Sequence, residues 1–479
     1  MMFLLRWQYW GLPLLESEES RRKRKIIHLR QLYIVFIITG IISIVILLQN
    51  LIRYPENAIL PSSVHLDIGP VNEKNVSVIQ KLVVQSPEQV PEGEKRPSNM
   101  GRKEERSCQP HTHIFFLKTH KTASSTIMNV LFRFGESHNL TFALPANHQT
   151  QLFYPYHFTA YFVEGYITKT RPNYDIMCHH MRFRLTEVEK VMPMDTFYFT
   201  LMRNPVSLME SSFSYYKDLD IFVKANSLEE YLNNPYNYYN QTSINSGYGK
   251  NLMAFDLGLD QHGPETPKHF KLAQTTVEIM FNLVLITDYF DESLILLKDA
   301  LCWSFDDVLS FPLNSRNVSN RKVLSEKTQH KIKTWNQLDW QLYVYFNKSF
   351  WEKVDKFGQD RMQREVQELQ RRRAAQSEIC LQDQADPAKM KDNFLRPFQI
   401  GIHKILGYNL KPGLKKDEQR LCRQLVTPEI QYTELLFFKQ NRQGTIKGKK
   451  ISQQKHRIRI RNQKSEHWAV NRNKMWQRL

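Results

Sequence analysis

The sequence predicts an α/β protein, a parallel β-sheet flanked by helices, preceded by a single transmembrane helix. Two patterns carry that prediction. Several short apolar runs rich in β-branched and aromatic residues are each followed by polar residues and then by a segment of helical periodicity, the alternation that builds a parallel sheet with helices on its faces. Near the start of the chain, residues 32–48 (LYIVFIITGIISIVILL) form a charge-free apolar run close to the ~20 residues that cross a bilayer. The 479 residues are 41% hydrophobic and 12% aromatic, enough apolar surface for one large core or two moderate ones.

Taken in order, residues 1–31 form a basic N-terminal segment ending in RRKRK (Arg21–Lys25) and Arg30. Basic residues beside a span stay on the cytoplasmic side, so residues 32–52 read as a signal-anchor with the rest of the chain in the lumen. A cleaved signal peptide is the competing reading, but QNLIRYPENAIL offers no A-x-A-like cleavage pattern. Residues 53–107 carry six prolines and scattered charge without a sustained period, as expected of a luminal stem. Five N-x-S/T sequons, at Asn75, Asn139, Asn240, Asn317 and Asn347, agree with a luminal body. Five widely spaced cysteines, Cys108, Cys178, Cys302, Cys380 and Cys422, suit one or two disulfides and a leftover thiol in an oxidising compartment. They show no zinc spacing.

The compact domain is expected over residues 108–441, and three strand–loop–helix units can be placed in it. HIFFL leads through Lys118–Ser124 into a helix with Ile127, Val130, Leu131 and Phe134 on one face. TFYFTLM (Thr196–Met202) leads through Arg203-Asn-Pro, with Pro205 suited to a first helical turn, into a helix through Tyr216. LVLIT (Leu283–Thr287) leads through Asp288 into a helix over Asp291–Cys302. A fourth short strand, YDIM, ends at Cys178-His179-His180. Ligands of open α/β sheets bind beyond the carboxyl ends of the strands. There the chain presents Lys118–Ser125, His179, His180, Arg203 and Asp288.

The net charge of +18 suggests nucleic acid until it is located. Twelve Lys or Arg against one acid lie between Arg442 and Leu479, and five more basic residues lie at Arg21–Lys25, so the remainder is nearly neutral. The tail, residues 442–479, reads as a solvated disordered terminus, with contact to anionic glycans or a retention partner as the minority reading. Any anion site in the body is therefore local. A loop from a strand into a helix N-terminus offers free N–H groups and the positive end of the helix dipole to a phosphate or sulfate. Here Lys121 adds charge and Thr122, Ser124, Ser125 and Thr126 add hydroxyls. The glycines of a Walker A loop are absent, which argues against nucleoside triphosphate hydrolysis. Taken alone, the stretch also fits a capped helix start with a solvated lysine. Arg203, with Ser211 eight residues on, supplies a second anion contact on the same rim. Two such sites suit a nucleotide phosphorylated at both its 5′ and 3′ positions.

At these residues the chain resembles a known family. FLKTHKTASST is similar to the 5′-phosphosulfate loop, and LMRNPVSLMESSFSYY to the 3′-phosphate segment, of sulfotransferases that use 3′-phosphoadenosine 5′-phosphosulfate (PAPS). More closely, FFLKTHKTASSTIMNVLFRFGESHNLTFALP, CHHMRF, DYFDESLILLKDALCWSFDDV and WNQLDWQLYVYFN resemble the galactose 3-O-sulfotransferases, from about Cys108 to Tyr432. The first 30 residues and the tail beyond Arg442 lie outside the likeness. The resemblance implies a P-loop-like sulfotransferase fold, a type II Golgi membrane enzyme with its catalytic domain in the lumen, PAPS as donor and no metal requirement. It further implies that Lys118, Lys121, Thr122, Ala123, Ser124, Ser125 and Thr126 hold the 5′-phosphosulfate, and Arg203 with Ser211 the 3′-phosphate. Implied partners are β-galactoside-terminated glycans and the Golgi membrane; nucleic acid is not among them, and the sequence leaves a homo-oligomer open.

Sulfuryl transfer needs positive charge on the departing phosphate oxygen, a role that suits Lys121, and a base for the acceptor hydroxyl. The candidate bases are His180, His179 and His120. His180 is favoured because HMRF is similar to the His-x-x-Phe stretch that carries the base in hexuronyl 2-O-sulfotransferases. His120 sits inside the loop, where it would more naturally help the sulfate or the leaving group. Adjacent residues in extended chain point opposite ways, so one of His179 and His180 is expected to face the site and the other to be structural. Trp335, Leu338, Leu342 and Tyr345 read as a core stripe, and Tyr236–Asn251 as a candidate acceptor loop. Tyr215 and Tyr216 are either core or site lining. Asp288 and Glu292 read as capping or solvated rather than sugar contacts. The rival function is a Golgi glycosyltransferase, for which Asp218-Leu-Asp220 would be the metal-binding D-x-D; a non-catalytic luminal lectin or scaffold is the third.

Overall fold

The computed structural model describes residues 108–168, 173–316, 323–401 and 403–442, all within the unit that begins at Glu104. The expected cytoplasmic segment, signal-anchor, stem and basic tail lie outside these residues, as do the sequons at Asn75 and Asn317. No helix among the described residues is long and apolar enough to cross a membrane.

Four parallel strands form the main sheet: β1 Ile114–Leu117, β2 Ile176–Met177, β3 Phe197–Met202 and β4 Leu283–Ile286, in the spatial order β2-β1-β3-β4. Ile114 of β1 registers with Ile176 of β2 and with Phe197 of β3, and Phe199 of β3 with Leu283 of β4. Every residue of β1 and β4 is buried, which is why these strands read as unbroken apolar runs rather than alternating ones. The α/β expectation with a helix-flanked parallel sheet therefore describes this domain. YDIM contributes only two residues to the sheet, as its edge.

The helices are α1 Ser124–Ser137, α2 Pro205–Tyr215, α3 Pro267–Met280, α4 Phe290–Leu301, α5 Glu326–Trp335, α6 Gln337–Phe357, α7 Gln359–Cys380, α8 Lys416–Val426 and α9 Glu429–Arg442, besides shorter turns. Pro205 opens α2 behind Asn204, whose side chain accepts the Val206 N–H, so the chain turns sharply out of β3. Leu338 and Leu342 of α6 and Trp335 of α5 are buried in the core, and the Trp335 indole N–H donates to Gly249 O at 2.7 Å. A second, antiparallel pair, β5 Leu381–Ala385 and β6 Gly407–Leu410, encloses a smaller core with Phe311, Met390, Leu395 and Leu425.

Two disulfides close long loops. Cys108–Cys302 ties the start of the described domain to the end of α4, and Cys380–Cys422 ties α7 to α8; Cys178 is a buried free thiol. Asn139 and Asn240 are exposed. Asn347 is half-buried in the middle of α6 with its Oδ1 enclosed, a poor place for a glycan.

Candidate functional site

The loop between β1 and α1 turns through left-handed backbone without glycine. Lys121 and Ala123 both take left-handed backbone conformations, φ 59° and 62°, a region non-glycine residues enter at a cost and mostly at functional turns. Ala123 is the N-cap of α1, has no capping side chain, and is followed by no acidic residue in the first turn. The N-terminal N–H groups of α1 thus meet the surroundings without a side-chain cap at Ala123, and such a terminus attracts an anion.

Neighbouring strand ends hold the loop in shape. Thr119 Oγ1 donates to Leu201 O at 2.6 Å, Thr122 Oγ1 and Ser124 Oγ donate to Thr119 O at 3.1 and 2.7 Å, and Thr287 Oγ1 donates to Thr122 O at 2.8 Å. Thr126 Oγ1 accepts the Leu313 N–H at 3.0 Å. The Arg203 guanidinium donates to Lys121 O at 2.7 Å, which joins the two expected anion contacts in one structure. Asp288 accepts the Asn204 N–H at 2.9 Å, a fixing role at the end of β4. Ser211 is buried on α2.

The cations are concentrated. Lys121 Nζ lies 3.4 Å from the centroid of the Tyr215 ring, which places Tyr215 in the site. Partial burial, then the charges of Arg203, Lys118 and Arg316, push the Lys121 ammonium down to about 7. Arg316, whose place near the loop the sequence did not signal, is anchored on α2 by Ser214 at 2.9 Å and by Glu210. Lys118 is buried between two partners, His180 Nε2 at 2.8 Å and Glu429 Oε2 at 3.1 Å. Glu429, the first residue of α9, also accepts from Ser125 Oγ at 2.6 Å. Burial alone would raise its carboxyl, but Lys118 and the Ser125 hydroxyl outweigh burial and hold it below the usual range.

The three histidines separate clearly. His179 is buried, and its Nε2 contacts Thr433 Oγ1 of α9 at 2.9 Å. Burial pushes its imidazole down to about 3, so it is neutral packing rather than part of the rim. His180, its neighbour, lies on the Lys118 side. Its Nδ1 donates to Lys118 O at 2.7 Å, so its Nε2 lone pair is the acceptor for the Lys118 ammonium. Burial, then the His120 and Lys118 charges, push the His180 imidazole well below its ordinary value. His120 stacks on His180 with centroids 3.8 Å apart and planes 9° from parallel. Its Nδ1 lies 3.0 Å from both carboxylate oxygens of Asp256, whose Oδ2 also accepts the His120 N–H at 2.7 Å.

Tyr154, Tyr248 and Tyr216 surround the His120 ring at 4.5, 5.4 and 6.3 Å. Tyr248 comes from the expected acceptor loop and stacks on Tyr216 at 4.0 Å. The D-x-D stands apart: Asp220 accepts from Ser243 Oγ at 2.6 Å and Asn245 Nδ2 at 2.8 Å in its own loop. Among the described residues no group of three His, Cys, Asp or Glu is placed to hold a metal.

A family model for galactose-3-O-sulfotransferases matches residues 13–440. This chain belongs to the galactose-3-O-sulfotransferase family. The match begins at residue 13, inside the first 30 residues expected to lie outside the likeness. Galactose-3-O-sulfotransferase 2 of Sus scrofa is 46% identical over 338 residues, covering 69% of this chain and 85% of that protein. Galactosylceramide sulfotransferase of Homo sapiens is 43% identical over 338 residues, with 68% and 78% covered. Galactose-3-O-sulfotransferase 4 of Homo sapiens is 37% identical over 410 residues, with 70% and 84% covered. Membership in the galactose-3-O-sulfotransferases makes this protein a sulfotransferase and sets aside the glycosyltransferase and lectin readings.

Asp256, Glu429, Arg316 and Tyr154 are the site residues that sequence reasoning did not find. Only Asp256 left a trace: an acid inside the apolar stretch LMAFDLG must be buried with a partner if that stretch is core.

Proposed function

We propose that this protein transfers the sulfuryl group of PAPS to the 3-hydroxyl of a terminal β-galactose on glycoprotein or glycolipid glycans, as a type II membrane enzyme of the Golgi lumen. The observation that carries the reading is the β1–α1 loop, an uncapped helix N-terminus beside Lys121, tied by Arg203 to the end of β3. That arrangement suits a ligand with two anionic ends, and the galactose that the family is named for supplies the acceptor.

In the reaction the galactose oxygen attacks sulfur, the bond from sulfur to the bridging phosphate oxygen breaks, and adenosine 3′,5′-bisphosphate departs while a protein base takes the hydroxyl proton. Lys121, lowered to about 7 when no anion is beside it, takes up a proton as the anion binds and then faces charge developing on the leaving oxygen. The N–H groups of α1 are suited to the sulfate, joined by the Ser125 hydroxyl when the anion takes the place of Glu429, and Arg203 and Ser211 to the 3′-phosphate. Calorimetry of the full-length protein in detergent with adenosine 3′,5′-bisphosphate, followed by transfer of labelled sulfate to a panel of β-galactosides, tests the proposal. Absence of bisphosphate binding, or a label that arrives elsewhere than the galactose 3-position, refutes it.

A further inference from the structure

Of the two stacked rings, His120 and His180, it is His120 that keeps an open nitrogen. Its Nδ1 must be the protonated one, since a carboxylate only accepts, and both Asp256 oxygens lie 3.0 Å from it. Its Nε2 is buried without a hydrogen-bond partner, a state that is costly for a polar atom unless it serves a ligand or a reaction. His180, by contrast, uses both nitrogens on Lys118.

Asp256 is held rigidly. It ends the short helix Leu252–Asp256, whose first N–H groups, those of Met253 and Ala254, donate to the buried Asp339 at 3.0 and 2.8 Å. The Asp256 backbone carbonyl accepts the Phe183 N–H at 2.9 Å, and its side chain is fully buried. A fixed carboxylate against Nδ1 selects the tautomer with a free Nε2 lone pair and stabilises the imidazolium that forms when that lone pair takes a proton.

We propose that Asp256 is a positioning residue which holds His120, through Nδ1–H, as the base that removes the proton of the acceptor hydroxyl. The inference rests on the sulfuryl-transfer reading above. Nε2 of His120 gains the proton, the galactose oxygen forms its bond to sulfur, and the electron pair of the breaking S–O bond leaves on the phosphate oxygen. His180 then serves to orient Lys118 rather than to take the proton, which moves the base from the histidine that the sequence favours to its stacked neighbour.

A double-mutant cycle tests this in the full-length protein. Asp256→Asn should lower kcat by about 100-fold and His120→Ala by about 1,000-fold. Donor KM and adenosine 3′,5′-bisphosphate affinity should stay within about twofold, and the double variant should be no slower than His120→Ala. A merely structural Asp256 would instead add its full loss in the His120→Ala background, which overturns the proposal. So would full turnover in Asp256→Asn, or in His120→Ala alongside a dead His180→Ala. Should Asp256→Asn fail to fold, ¹⁵N-histidine spectra of the wild-type protein, assigned by the signals lost in His120→Ala, decide: the Nδ1–H tautomer is required, and an Nε2–H tautomer overturns the assignment. If the wild-type protein does not bind the bisphosphate, the donor reading fails and this inference with it. Intact binding with normal turnover in Asp256→Asn sinks the inference alone.

Discussion

The rim of the parallel sheet and the C-terminal lobe contribute to the same site in opposite ways. The rim is local: Lys118–Thr126 and Arg203 lie within a few residues of the strands that carry them, and their hydrogen bonds run between adjacent strand ends. The lobe of α7–α9 with β5–β6 is assembled from distant chain, closed by Cys380–Cys422, and reaches the site through one carboxylate, Glu429. It also clasps the first helix. Gln424 and Tyr432 bond Glu136 of α1, and Asn129 of α1 donates to Gln424 O at 2.8 Å. One region provides the positive charge; the other positions it and places a negative charge beside it. A cationic anion site that already contains a carboxylate is poised for exchange of that contact with a bound anion, not for maximal attraction.

Breaking the rim should have the largest effect. Lys121→Ala is expected to lower kcat by about 100- to 1,000-fold with an unchanged circular dichroism spectrum, read from transfer of labelled sulfate to a β-galactoside. Next comes the lobe: Cys380→Ser removes a loop constraint worth about 3 kcal/mol, so thermal unfolding should begin earlier. Hydrogen exchange should rise over residues 381–426 before it rises over β1 and α1. Equal protection of both regions would show that the lobe does not depend on its own staple.

Arg203→Ala removes a charged contact of about 2 kcal/mol, which predicts adenosine 3′,5′-bisphosphate binding weaker by roughly 30-fold in calorimetry. The pH dependence is smaller and has a definite sign. Lys121 titrates near 7 in the folded protein against an ordinary 10.5, so from about pH 7 to 10.5 the folded state binds fewer protons than the unfolded one and its contribution to stability rises with pH. Anion binding needs the ammonium, so bisphosphate affinity should fall by up to about tenfold per pH unit above 7, and Lys121→Ala should abolish that slope. The smallest change is expected from Glu429→Gln, which removes the competing charge from Lys118 and Ser125 and should tighten bisphosphate binding about threefold. Weakened binding there would show that Glu429 orients Lys118 for the ligand rather than standing in its place.

How far the sequence reached follows the same division. HIFFL, TFYFTLM and LVLIT were legible as strands because a fully buried parallel strand is an unbroken apolar run, and Pro205 marked the start of α2. The cationic loop was legible because its charge and hydroxyls are contiguous. The opposed histidines followed from strand geometry, which places His179 against α9 and His180 against Lys118. Asp256 lies 136 residues from His120, and Glu429 lies 304 residues from Ser125. Such contacts depend on the closure of long loops that leave no local period or turn signal.

By itself, then, the sequence determined the sheet, the loop at its rim and the residues able to hold anions, because each depends on side chains close together in the chain. Only the tertiary structure decided which of the stacked pair His120 and His180 keeps an open nitrogen. Burial, stacking and the reach of Asp256 and Lys118 settle that, and these arise when segments far apart in sequence pack into one core.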